Sequence, residues 1–203
     1  RIRSTILMKA MFEFIVKPKN GRSNNEKNIG DSKLILNTEL QNHNYVSREG
    51  TVLAVPGNDE SGIEVGDDII VHHNVFRRYR DIRGKEKNSK SFFEKDMFFV
   101  DPGQIYAYRR LNEWKACKGF NFVKPIQEDK MFSIDFEKPL LGVLKTKDPD
   151  LLEVEVEDLI GFKPSSKYEF IIDGQKLYRV PTNQITIKYE RKGNEKEYNP
   201  SWA

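Results

Sequence analysis

The sequence predicts an all-β chain arranged as two small β-barrels in tandem, and three observations carry that prediction. Short runs rich in Val, Ile, Phe and Tyr recur between Gly, Pro, Asn and Asp, while apolar residues at helical spacing are scarce. The runs fall into two series that can be laid over one another. With 203 residues, 37% apolar and 32% charged, the chain is long enough for two small units and apolar enough to fold them.

The first series reads "FEFIVKP" (12–18), "GTVLAVP" (50–56), "DDIIVHH" (67–73), "DMFFVDP" (96–102) and "QIYAYRR" (104–110). The second reads "FNFVKPI" (120–126), "LLGVLKT" (140–146), "DLIGFKP" (158–164), "YEFIID" (168–173), "KLYRVP" (176–181) and "QITIKYE" (184–190). Laid together, "FEFIVKP" faces "FNFVKP", "GTVLAVP" faces "GVLKTKD", "IEVGDDIIV" faces "VEVEDLIGF", and "MFFVDPGQIYAY" faces "LYRVPTNQITIKY". Four matches in the same order point to internal duplication. The expected units are 1–111 and 119–190, separated by the charged, non-alternating run "LNEWKACKG" (111–119), with a mobile charged tail over 191–203. Trp114 is expected to pack between them.

The copies differ after their first strand. Copy one carries a long polar stretch, about 19–49, where copy two has only "QEDKMFSIDFEKP". A connection that long inside a small domain is uncommon, and it predicts a functional or mobile segment. Within it, Leu34, Ile35 and Leu36 stand together among Asn, Ser, Lys and Glu. They suit a partner-binding patch; the plainer alternative is an ordinary strand, or packing under a loop.

The succession "FIVKP", "SKLIL", "REGTVLAVP", "IEVGDDIIV" and "DMFFVDPGQIYAYRR" resembles the chaperonin-10, or GroES-type co-chaperonin, family. The likeness covers copy one from about Phe12 to Arg110 and, more faintly, copy two from Phe120 to Glu190. It implies GroES-like barrels, no catalytic residues, and a homo-oligomeric ring, heptameric if the family's symmetry is kept, that caps a large GroEL-type chaperonin ring. In this reading Leu34, Ile35 and Leu36 dock on the chaperonin. Ring contacts form through the edge strands, with Phe12, Phe14 and Val16 meeting Ile105 and Tyr106, or with Ile185 to Tyr189 as the alternative. Three departures stand out. Lys33 occupies the place of the glycine before the patch, "GNDESG" is too short for the family's roof hairpin, and Glu157 replaces the glycine of the Val-Gly-Asp turn.

Other classes are weighed against this. A surplus of only three positive charges does not by itself imply nucleic-acid binding. The basic stretch "FRRYRDIRGKEKNSKSFFEK" (76–95) is read as a solvated hairpin ahead of a single-stranded nucleic-acid patch, so nucleic acid is not the expected partner. A single cysteine, Cys117, excludes an internal disulfide and a thiolate zinc cluster. His72 and His73 are expected on opposite faces of a strand and His43 in the long segment, so no metal or other cofactor is expected. No run is long and apolar enough for a membrane helix, which favours a soluble, cytoplasmic protein. An oligomeric structural or assembly protein, viral in character, that reuses the barrel is the remaining alternative.

Overall fold

The computed structural model describes residues 9–22, 26–29, 32–35, 46–128, 137–191, 193, 195–201 and 203. In chain order its strands are β1 (Phe14–Pro18), β2 (Glu26–Ile29), β3 (Ser32–Ile35), β4 (Glu49–Ala54), β5 (Asp68–Val71), β6 (Arg78–Arg80), β7 (Glu86–Asn88), β8 (Phe92–Glu94) and β9 (Met97–Val100). Then come β10 (Ile105–Arg110), β11 (Glu113–Ala116), β12 (Phe120–Gln127), β13 (Glu137–Thr146), β14 (Leu159–Phe162), β15 (Tyr168–Ile172), β16 (Gln175–Pro181) and β17 (Ile185–Tyr189). The fold is all-β and antiparallel, and its sheets are open, not closed into barrels. The chain divides after Glu113 into two compact units.

The two main sheets repeat one another. The first has the order β11-β10-β5-β4-β1-β9-β8, and the second β15-β16-β12-β13-β14-β17. Read from its other border, the second sheet places β17, β14, β13, β12, β16 and β15 where the first has β10, β5, β4, β1, β9 and β8. The register agrees as well. Val16 faces Val52 and Pro18 faces Gly50, while Val123 faces Leu144 and Pro125 faces Gly142. Each pair of strands slips at the same place, between Ile15 and Val16 in one sheet and between Phe122 and Val123 in the other.

Local chemistry explains the shared turns. The Asp67 carboxylate accepts from the Glu64 N–H at 2.8 Å, and Asp158 accepts from the Glu155 N–H at 2.7 Å. Each Asp side chain pins the bend that feeds the next strand. The residue just before it is left-handed in both, Gly66 at φ 95° and Glu157 at φ 74°. Glycine adopts that conformation freely; a glutamate is strained there by about 1 kcal/mol or more. Glu157 is held by Lys145 at 2.7 Å and by Arg191 at 3.0 Å.

Alternation along the strands builds the cores. In the first unit Phe14, Val16, Phe76 and Phe98 are wholly buried, with Phe76 and Phe98 edge to face at 5.0 Å. In the second, Val123, Leu144, Ile160, Phe162, Tyr178 and Val180 form one cluster.

Two expectations about the chain's course are corrected. The run 111–119 is not free of strands: Leu111 and Asn112, at φ 51° and 66°, make a tight two-residue turn that folds β11 back. That turn lacks the glycine by which such hairpins are usually read. In the tail, residues 196–198 are bonded to the sheet. The Gln127 N–H donates to the Lys196 carbonyl at 2.7 Å and the Tyr198 N–H to the Pro125 carbonyl at 2.8 Å. Residues 196–198 thus take the edge of β12 that β16, pairing only with 120–123, leaves uncovered.

Candidate functional site

The long segment of copy one leaves and rejoins its sheet through a closed stem. The Lys19 N–H donates to the Glu49 carbonyl and the Ser47 N–H to the Arg22 carbonyl, both at 3.0 Å. The Arg48 carbonyl accepts from the Val71 N–H at 2.8 Å, which ties the returning strand to β5. In copy two the corresponding ends are simply paired, Gln127 facing Glu137. The insertion is therefore an outgrowth of a hairpin that the fold closes without it.

Charged side chains lock this stem. Asp68 receives Lys19 Nζ at 2.7 Å, Arg109 Nη2 at 2.9 Å and the Thr51 hydroxyl at 3.1 Å. Burial works against the ionised form, but the hydrogen bonds from Arg109 and Lys19 outweigh it and hold Asp68 below the usual carboxylate range. Its neighbour Asp67 points the other way and is gripped by both ends of the Arg110 guanidinium, at 3.2 and 2.6 Å. Neither carboxylate is available as an acid–base pair.

Arg22 joins the stem to a second insertion. Its Nη1 donates to Asn88 Oδ1 at 2.8 Å and its Nε to the Phe76 carbonyl at 3.3 Å. The guanidinium also lies over the rings of Phe98 and Phe92, at 5.0 and 5.5 Å. Phe76 and Asn88 bracket the β6–β7 ribbon, whose register sets Arg78 opposite Asn88 and Arg80 opposite Glu86. Copy two has no such ribbon, passing from β14 to β16 through β15 alone.

The expected partner-binding residues fall as follows. Leu34 and Ile35 lie in β3, paired with Lys27 and Glu26 of β2 in a two-stranded sheet apart from the main one. The stretch is thus not wholly without regular structure. Leu36 and His43 lie outside the described residues. Of the residues expected at the ring contact, Phe14 and Val16 are buried and β1 is paired on both sides, with β4 and β9. Ile105 and Tyr106 are also buried, on a strand flanked by β5 and β11. Only Phe12, at 75% exposure, faces solvent. The border strands of the two main sheets are instead β11, β8, β15 and β17, and of these β17 carries the exposed Ile187 and Tyr189. Gly161 leaves the room over which those two side chains lie.

His72 and His73 do not point apart; their rings stack at 4.2 Å, because β5 ends at Val71 and strand alternation lapses beyond it. Among the described residues no group of three or more His, Cys, Asp or Glu side chains is placed to hold a metal. Cys117 is half-buried and in no disulfide, and the Trp114 indole N–H donates to Asp173 at 2.8 Å. No helix among the described residues is long and apolar enough to cross a membrane. The sequence matches no family model, and no curated protein matches it. Sequence reasoning missed Arg22, whose partners lie 54 and 66 residues away, since no local pattern announces so distant a contact.

Proposed function

We propose that the chain is a co-chaperonin-like protein whose first unit docks on a large chaperonin ring through the segment carrying Leu34, Ile35 and Leu36. The observation that supports this most is the asymmetry of the repeat. Two sheets share strand order and register, yet only the first extends its β1–β4 connection, from a stem clamped by Lys19, Arg22 and Asp68. A fold that closes without the extension has kept it for another purpose.

Burying each aliphatic side chain on a partner contributes about 1.5–3 kcal/mol. Ordering the segment takes back roughly 2–5 kcal/mol, and lost rigid-body freedom takes more. One segment binds weakly, whereas a ring that presents several binds tightly through high effective concentration. The open border of β17 supplies the strand edge for assembling that ring. Both units then act as open-sheet relatives of the GroES-type barrel, and the protein performs no chemistry of its own.

The test mixes the purified protein with a GroEL-type ring and nucleotide and follows proteolysis of residues 23–45. Protection by the ring, abolished in Leu34→Ser/Ile35→Ser, is the expected result. Equal association by that variant overturns the reading. A ring-shaped oligomer that ignores the chaperonin would instead identify an assembly protein that has kept the barrel.

A further inference from the structure

The β6–β7 ribbon has no counterpart in copy two, which passes from β14 to β16 through β15 alone. Between Arg77 and Lys90 it carries seven basic residues, Arg77, Arg78, Arg80, Arg83, Lys85, Lys87 and Lys90, against two acidic ones, Asp81 and Glu86. Both acids are occupied within the ribbon. Glu86 pairs with Arg78 at 2.8 Å. The Asp81 carboxylate accepts from the Arg83 and Lys85 N–H groups, each at 2.9 Å.

Those bonds make the tip a built turn. The Asp81 N–H donates to the Lys85 carbonyl and the Gly84 N–H to the Asp81 carbonyl, at 2.9 and 2.8 Å, with Gly84 at φ 76°. The turn holds Ile82 fully exposed and leaves Tyr79 partly so. The base is fixed too, by Ser89 Oγ on the Val75 carbonyl at 2.6 Å and by Arg22 on Asn88. Strand alternation sets Arg80 on one face and Lys87, opposite Tyr79, on the other. Positive charge therefore lines both faces and the tip of a narrow two-stranded arm.

We propose that this ribbon binds a nucleic-acid duplex, with Arg80, Arg83, Lys85 and Lys87 on phosphates and Ile82 directed into a groove. A major groove admits a two-stranded ribbon and is flanked by two rows of phosphates, which charge on both faces matches. A single acidic protein surface would meet only one face. An apolar tip suits contact with a thymine methyl or a base step. This binding is independent of chaperonin docking.

Fluorescence anisotropy of the full chain with a labelled DNA duplex of about 20 base pairs, titrated with salt from about 50 mM upward, tests it. Four phosphate contacts predict that log K falls against log salt with a slope of about −3.6. The combined Arg80→Ala, Arg83→Ala, Lys85→Ala, Lys87→Ala variant should lose at least about tenfold in affinity and most of that slope. A Lys115→Ala/Lys163→Ala control, at exposed lysines of the second unit, should bind as the parent does. Arg83→Glu alone, on the exposed turn, gives the same readout should the fourfold variant fold poorly. No binding at low salt, unchanged binding by these ribbon variants, or equal displacement of the duplex by polyglutamate would each overturn the proposal.

Discussion

Arg22 donates to Asn88 across 2.8 Å, joining the stem of one insertion to the base of another, and both insertions are confined to the first copy of the repeat. One guanidinium, stacked on Phe98 and Phe92, fixes where both segments leave the sheet. Arg22→Ala removes two charge-assisted hydrogen bonds and the cation–π contacts with Phe98 and Phe92, and should cost the first unit about 2–3 kcal/mol. A double-mutant cycle with Asn88→Ala, followed by urea unfolding, should return a coupling of about 0.5 kcal/mol or more. Additive losses would show that the two segments are anchored separately.

The paired glycines of the repeat give a graded test of the register. A Cβ on Gly142 would lie 2.5 Å from Val123 Cγ1 and 2.6 Å from the Lys124 carbonyl, whereas one on Gly50 would lie 3.0 Å from the Lys17 carbonyl and 3.1 Å from Phe76. Gly142→Ala should therefore destabilise by about 3 kcal/mol, and Gly50→Ala by about 1–2 kcal/mol. Gly57 meets nothing within 4 Å, so Gly57→Ala should stay within about 0.5 kcal/mol of the parent. Thermal melting of the three variants checks the order.

Acid should weaken both units. Asp68 is held low despite burial by Arg109 and Lys19, and Asp148, against the same opposition, by the Thr182 hydroxyl and the Asp150 and Gly119 N–H groups. A carboxylate whose folded pKa lies below its unfolded value binds fewer protons when native. Its contribution is full above the unfolded value of about 3.9 and is lost as pH falls through the folded one. Urea midpoints should be flat from about pH 7 to 5 and drop below about pH 4. Asp68→Asn should be less stable at neutral pH and lose part of that acid dependence.

Residues 196–198 bond to β12 along its edge, with Glu197 bridged to Ile126. Lys17 and Lys124 occupy matched positions, yet Lys17 is exposed and Lys124 only 6% so, its ammonium donating to Gln175 at 3.0 Å and Asn199 at 3.4 Å. Burial pushes the Lys124 pKa down. Deleting residues 195–203 uncovers it and removes the bonds to Pro125, Gln127 and Lys176, which should cost about 2–4 kcal/mol. Hydrogen exchange at Gln127 and Lys176 should quicken; unchanged protection there would refute the edge-covering role.

The repeat was legible because its signals are local: a Lys-Pro within β1 and β12, a glycine in β4 and β13, and an Asp pinning each following turn. What stayed hidden depends on distant partners or on turns without their usual residues. Leu111 and Asn112 form a turn with no glycine, so β11 passed for a linker. Phe14 and Val16 are set at an edge by the family resemblance, and only their pairing with β9, over 80 residues on, places them inside the sheet. The tail's charge concealed the backbone bonds it makes.

The native mass of the purified chain tests the functional account most directly, because weak segments grip a chaperonin only when many are displayed together. A closed assembly at a fixed multiple of 23.7 kDa is the predicted result. A monomer across micromolar concentrations would contradict it.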